Sequence, residues 1–242
     1  MINRPLSPLL GVLELAILPG RPSFGFSHTE LYGDAYRFWM SYQKSMRQEV
    51  ELPTEAINSD DFLRHDFVNV LTYEQSVVAM INCTLLDLSS EAEANHSYIN
   101  AYFGDQFVSA ALGSGLRCMA TLENIVSHPE WRSAKVGLSL GAVVMSVALK
   151  KVFEVGCDGA FGAARTDAPT ARISYDFGAS AIVTGLTFHG KPTDLLVFPA
   201  NDIRPHPSKD VEQLATRLWA TRLDATATKI AAGSAPTRRD KV

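Results

Sequence analysis

Residues 122–140 read LENIVSHPEWRSAKVGLSL, from Leu122 to Leu140. The apolar run Leu116–Val126 reads as a strand, Pro129 as a turn, and Val136–Val155 as a long helix ended by Gly156. Val136, Leu140, Val143 or Val144, Val147 and Val152 recur at the spacing of one helix face. A strand that turns straight into a helix leaves backbone N–H groups unpaired at the helix start, and these donors favour an anion, above all a phosphate. Arg132 and Lys135 add charge, while Ser133 and Gly137 permit a close backbone approach. Neither GxxxxGK[ST] nor GxGxxG occurs in the chain, so the turn suits a phosphate but not a nucleotide held in either familiar way. The bland alternative is ordinary turn chemistry ahead of a helix.

Outward from this segment, the pattern is mixed. Leu10–Leu18 reads as a strand stopped by Pro19-Gly20, and Glu30–Glu49 as a helix carrying Tyr36, Trp39 and Tyr42 at helical steps. Asn58–Arg64 is polar and reads as a loop. Phe67–Tyr73 and Val77–Leu86 form a hairpin pattern, and Tyr98–Leu112 reads as one helix closed by Gly113-Ser114-Gly115. Cys157–Ala163 reads as a short strand. Asp167–Asp176 reads as a short helix with Asp167 as N-cap and Pro169 in its first turn. Ala181–Phe188 and Leu195–Phe198 pair as strands, and Val211–Leu223 is an amphipathic helix. Residues 224–242 are small and polar and are expected to form a mobile tail behind a single domain spanning 1–223. The order is β-α-β-β-α-β-α-β-α-β-β-α, an α/β class with one βαβ crossover and hairpins that make the sheet partly antiparallel.

Composition sets the outer limits. The chain has 242 residues, 46% of them hydrophobic and 20% charged, which excludes disorder as its main state. No apolar run approaches the ~20 residues of a membrane span. The net charge of −4 argues against a nucleic-acid binder. Three cysteines with no CxxC point to a reduced, cytoplasmic setting and to no metal site. Glu14 interrupts the apolar N-terminal stretch and no small-residue cleavage site follows, so no signal peptide is expected.

The segment Ser127–Leu140 resembles the phosphate-binding motif of the GNAT N-acetyltransferase superfamily, V-x-P-x-[YW]-R-G-x-G-x-G-x-x-L. Pro129, Trp131, Arg132, Gly137 and Leu140 match it, and Lys135 replaces a loop glycine. A second family element, N-x-x-A-x-x-x-Y-x-x-x-G-F, falls on Asp167 to Ala179, with Ser174 at its tyrosine position and Tyr175 one residue later. The resemblance implies a GNAT-type fold, a central mixed sheet of six to seven strands flanked by helices. It implies acyl transfer from a phosphopantetheine thioester, acyl-CoA or an acyl carrier protein, to an amine or amino acid acceptor, with no metal. A narrower resemblance is to acyl-homoserine-lactone synthases and N-acyl amino acid synthases. It rests on Tyr36-Arg37-Phe38, on Asp60-Asp61 followed by His65-Asp66, and on the inserted segment Tyr98–Leu112. This chain has Asn124 where those families usually show arginine.

Carried over residue by residue, the resemblance implies a bulged strand whose Ile125, Val126 and Ser127 pair with the pantetheine arm. The phosphate loop is then Arg132, Ser133, Ala134, Lys135, Val136, Gly137 and Leu138, with Asp167 beside the donor. Glu123 is the one carboxylate in Leu116–Ser127, and burial there would raise its pKa toward neutrality, as a base for the amine requires. An exposed or salt-bridged glutamate is the structural alternative. Tyr175 or Ser174 would supply an acid for the departing thiolate. His128 is expected to be a solvated turn residue, the aromatic stripe to be core or pocket lining, and Gly159 and Gly162 to admit a ligand or a neighbouring backbone. Arg132 and Lys135, with Lys150 or Lys151, would hold either the phosphates of CoA or an acidic carrier protein. A non-catalytic thioester-binding protein is the competing reading, kept open by the departures at Lys135 and Ser174.

Overall fold

The computed structural model describes residues 11–226. Leu10 of the first expected strand, and residues 227–242 of the expected tail, lie outside them. The elements in chain order begin with β1 (Leu13–Pro19), α1 (Thr29–Glu49), α2 (Asp60–Leu63), β2 (Phe67–Tyr73), β3 (Ser76–Cys83) and β4 (Leu85–Asp87). Then follow α3 (Glu91–Ala94), α4 (Ser97–Tyr102), α5 (Gly104–Gly113), β5 (Cys118–Thr121) and β6 (Glu123–Ser127). The last are α6 (Ser133–Val136), α7 (Leu140–Glu154), β7 (Gly159–Arg165), α8 (Pro169–Asp176), β8 (Ser180–Phe188), β9 (Lys191–Pro199), α9 (Lys209–Ala220) and β10 (Leu223–Asp224).

The strands form two five-stranded sheets instead of one sheet of six or seven, in the orders β10-β1-β2-β3-β6 and β4-β5-β7-β9-β8. The expected single strand Leu116–Val126 is broken at Leu122, so β5 joins β7 in parallel while β6 joins β3 antiparallel. The break has a local cause. Asn124 takes a left-handed backbone, φ 54°, and the register jumps from Asn82↔Glu123 to Met80↔Val126. Two residues, Asn124 and Ile125, thus oppose one, which is a bulge that bends the strand out of its sheet. Asparagine tolerates this conformation better than most residues. The Asn124 side-chain oxygen accepts a hydrogen bond from Gln43 of α1 at 2.8 Å. The bulge therefore lies one residue earlier than expected, and Val126 and Ser127 are regularly paired with Met80 and Ala79.

Four helical expectations change. The long helix starts at Leu140, not Val136, because Gly137 sits at φ 74° and closes the single turn α6. Ser139 then caps α7, its hydroxyl accepting from the Ala142 N–H at 3.2 Å. The segment 98–112 is two helices, parted at Gly104 with φ 70°, and a further turn, α3, precedes them. Within the expected loop 58–64, residues Asp60–Leu63 form a helical turn that buries Phe62. Asp167 does not cap α8; Ala168 occupies that position and Asp167 pairs with Arg165 at 2.9 Å.

α7 is apolar nearly all round because both of its sides are covered. Val143, Val144, Val147 and Val152 join Leu71, Ile81, Leu196 and Leu214 in the main core. A second core lies under α1, where Trp39 stacks among Phe62, Val70 and Met80, so Trp39 is core while Tyr36 and Tyr42 are half-buried. A third packs α4 and α5 on Phe161 of β7. Asp224 is paired with the chain's interior. Lys151 of α7 is buried and donates to Asp224 at 2.8 Å and to Glu154 at 3.0 Å. Removing a partner from a buried ammonium costs about 3 kcal/mol. Asp224→Ala is expected to lower stability by that order in urea unfolding, and a change under 0.5 kcal/mol would show that Lys151 reaches water.

Candidate active site at the strand splay

β5 and β7 run side by side as far as Thr121 and Phe161, and the Leu122 N–H still reaches the Phe161 carbonyl at 2.9 Å. Beyond that point β6 and β7 diverge. Gly162 makes the approach possible, since a Cβ there would stand 2.8 Å from the Leu122 carbonyl oxygen. Gly159 similarly admits the Phe198 carbonyl, at 2.7 Å from where its Cβ would stand. Both glycines therefore serve neighbouring backbone.

Strand alternation fixes which groups face the gap. The His128 N–H bonds to Val78, so His128 and Val126 point at β3, and the N–H and C=O groups of Ile125 and Ser127 point outward from the edge of their sheet. On the other side Phe161 faces β5, so Ala163 faces the gap, and its N–H donates to the Tyr98 hydroxyl at 2.9 Å. A pocket at the splay is lined by Leu122, Ile125, Met145, Ala163, Ser174 and Leu196, among others. Ser174 reaches it from α8, with its hydroxyl donating to the Thr170 carbonyl at 3.0 Å. Tyr175 does not line this pocket. Its hydroxyl donates to the buried carboxylate of Asp194 at 2.7 Å, and burial together with that bond pushes its pKa up to about 12.

Glu123 opens β6 and is 7% exposed. One oxygen accepts from the Thr121 hydroxyl at 2.8 Å and the other from the Arg64 guanidinium. Burial raises its pKa to about 7, against the opposing pull of Arg64 and Thr121. Its carboxylate is thus both the tunable group and the salt-bridged group considered from sequence. His65 lies 3.9 Å away, with its Nδ1 3.0 Å from the Thr84 hydroxyl. Burial and Arg64 hold its pKa down at about 3, so the ring is neutral at pH 7. Sequence reasoning passed over Arg64, Thr121 and Tyr98. The quoted run Asp60-Asp61…His65-Asp66 brackets Arg64, but nothing in the spacing shows that it turns onto a strand 59 residues away.

The expected phosphate turn is exposed from Arg132 to Lys135 and again at Gly137, with Val136 intermediate and Leu138 buried beneath. The N–H groups of Leu138, Ser139, Leu140 and Gly141 find no acceptor among the described residues, as at any open helix start. Lys135 is paired with Glu130, whereas Arg132 carries no ion pair among the described residues. His128 is an exposed turn residue whose Nδ1 accepts from the Glu130 N–H at 3.2 Å. Asp167 lies apart from this turn, in a surface ion cluster with Arg165, Glu49 and Lys191. The described residues contain no group of three or more His, Cys, Asp or Glu placed to hold a metal, and no helix long and apolar enough to cross a membrane.

A folded pKa of about 7 for Glu123, against 4.5 for a free glutamate, has a consequence for stability. Between those values the folded chain binds more protons than the unfolded chain, so stability falls as pH rises from about 4.5 to about 7. The span is on the order of 3 kcal/mol. Glu123→Gln is expected to flatten this part of the profile in urea unfolding at pH 5 and pH 8. An unchanged pH dependence would mean that the carboxylate is well solvated.

No family profile matches the chain, and no curated protein matches it in sequence. Solved structures do. The CoA-dependent acyl-homoserine lactone synthase BjaI, solved with SAM and isopentyl-CoA, superposes with a TM-score of 0.58 at 10% identity, over 89% of this chain and 98% of that one. FeeM, an N-acyl amino acid synthase from uncultured soil microbes, gives 0.54 at 13% identity, over 80% and 95%. An agmatine N-acetyltransferase gives 0.52 at 11%, over 77% and 99%. At such identities the likeness is one of fold, and the chain has the mixed α/β fold of the GNAT acyltransferases, with the acyl-homoserine lactone and N-acyl amino acid synthases among its structural neighbours.

Proposed function

We propose that the chain is an N-acyltransferase that moves an acyl group from a phosphopantetheine thioester to the amine of a small molecule. The observation that carries this reading is the splay itself. It offers an unpaired strand edge at Ile125 and Ser127, a pocket between the diverging strands, and on Glu123, the residue after pocket-lining Leu122, a buried carboxyl with a pKa of about 7. Extended pantetheine amides pair with a free strand edge as another strand would. The exposed turn Arg132–Gly137, with Ser133, Ala134, Lys135 and Val136 between, and Leu138 leading into α7, is the site for the phosphates. Asp167 is assigned no contact with the donor, since its carboxylate is engaged by Arg165. The free thiols of Cys83, Cys118 and Cys157 fit a cytoplasmic setting.

Transfer is direct. The amine nitrogen attacks the thioester carbonyl, the C–N bond forms, the C–S bond breaks, and the electron pair leaves on sulfur. Glu123, ionised above pH 7, takes the proton of the attacking amine, directly or through a water. Thr121 and Arg64 fix the carboxylate, and Arg64 stabilises its charged form. Ser174 places a hydroxyl on the pocket wall, while the Asp194 bond holds Tyr175 elsewhere. The donor is acyl-CoA by default and an acyl carrier protein as the alternative. The Lys135–Glu130 pair cancels one of the two loop cations, which weakens docking of an acidic carrier.

Two measurements test this. Arg132→Glu combined with Gly137→Asp is expected to abolish retention on immobilised CoA, because a side chain at φ 74° strains the loop and the new charges repel phosphate. Undiminished binding of CoA and of carrier-linked thioesters would overturn the assignment. Glu123→Gln is expected to lower amine-dependent thiol release ~10²–10⁴-fold and to remove the rise in kcat/KM through pH 7. Normal turnover of that variant from pH 6 to 9 would make Glu123 structural. Thioester binding without thiol release, over a panel of amines and amino acids, would favour a non-catalytic binding protein.

A further inference from the structure

We infer that Tyr98, on the inserted helix α4, is the catalytic acid of the site, its hydroxyl donating to the sulfur of the departing thiol inside the splay. This rests on the acyl-transfer reading above. The hydroxyl enters the gap from the face opposite α7 and α8, since Tyr98 packs with Phe161 while the neighbouring Ala160 and Ala164 face α7. Its oxygen accepts the Ala163 N–H, which points away from β9 into the gap, and Ala163 lines the pocket. The oxygen is therefore occupied, but the hydroxyl hydrogen has no acceptor among the described residues. The side chain is 7% exposed. The hydroxyl stands beside Ala163, which lines the pocket, and its hydrogen is left for an acceptor atom of a substrate held there.

The surroundings hold the ring in place. Tyr102, Phe103 and Phe161 pack against it with ring centroids 5.0, 5.9 and 6.0 Å away, and the Arg64 guanidinium lies 6.0 Å from its centroid. Arg64 also binds Glu123, so the base and the phenol are tied to one cation at the same end of the splay. The other two hydroxyls near the pocket are committed, Ser174 to Thr170 and Tyr175 to Asp194. The proton balance closes with these groups. As the C–S bond breaks, the electron pair goes to sulfur and the phenol proton follows it. Glu123 holds the proton of the attacking amine, and Tyr98 recovers one through water once the thiol has left.

The test is Tyr98→Phe, assayed for amine-dependent thiol release with one acyl group on CoA and on an acidic aryl thiol. An aryl thiolate needs no acid to leave. The proposal expects a loss on the order of 10²-fold in kcat with acyl-CoA, little change in KM, and a loss under threefold with the aryl thioester. Equal losses with both donors, or full turnover with acyl-CoA, would overturn the role of Tyr98. Where Tyr98→Phe unfolds for want of a partner for Ala163, a fluorinated tyrosine at the same position keeps that bond and acidifies the phenol. A rate with acyl-CoA that responds to the fluorination while the aryl thioester does not supports the proposal, and an indifferent rate overturns it. Failure of the unaltered chain to release thiol from either donor overturns the acyl-transfer reading and this role with it. Activity of the unaltered chain with an indifferent Tyr98 overturns this role alone.

Discussion

Everything in the site follows from one broken strand. The chain from Cys118 to Ser127 would run straight if its hydrophobic pattern alone decided. Instead Leu122 stays bonded to Phe161 while Asn124 turns left-handed, and the next residues cross to another sheet. The bend leaves Ile125 and Ser127 without strand partners on one edge, and a left-handed non-glycine residue adds roughly 1 kcal/mol of strain. These costs are offset next door, where α7 fills the space beneath both sheets with Val143, Val144 and Val147. The protein therefore keeps an opening in its sheet because the core below it is continuous.

The buried charges divide into two kinds. Lys151, between Asp224 and Glu154, is fully compensated and links the end of the described chain to α7. Glu123 is not. Arg64 and Thr121 oppose the effect of burial without cancelling it, which leaves the carboxyl close to half-ionised near neutrality. Full compensation would make it a permanent anion, and no compensation a permanent acid. Neutral His65 beside it adds no positive charge that would pull its pKa back down.

Most of the fold was legible because it rests on local signals. The hairpin at Phe67–Tyr73, the strand pair β8 and β9 and the amphipathic α9 announce themselves within a few residues. The two-sheet arrangement was not legible, because a single asparagine with an ordinary-looking neighbourhood decides it. The helix start at Leu140 was missed for a related reason. Gly137 was read as a place where backbone approaches a phosphate, whereas its φ of 74° also ends one helical turn and sets the direction of the next. In the site, Glu123 could be singled out as an isolated carboxylate in an apolar strand. Arg64 and Tyr98 could not, since their meaning lies in contacts 59 and 65 residues away.

The two faces of the splay differ in chemistry, and on the proposed acyl-transfer reading the difference would order the substrates. Toward α7 the wall is apolar, with Leu122, Ile125, Met145 and Leu196, while α8 adds Thr170 and Ser174. Toward α1 and α4 it is polar, with Glu123, Arg64 and Tyr98, and the cluster of Glu49, Arg165, Asp167 and Lys191 stands at the ends of α1 and β7. An acyl chain gains by entering the first face and loses by entering the second, while a charged amine does the reverse. On that reading the carbonyl carbon that joins them would lie on the line between the faces, at the level of Leu122 and Ala163. At that level the Ala163 N–H is bonded to the Tyr98 hydroxyl, and Glu123 follows Leu122 at the start of β6. The inserted helix α4 covers the edge of β7 at Ala163 through the Tyr98 hydroxyl, and on the proposed acyl-transfer reading it is a wall of the site.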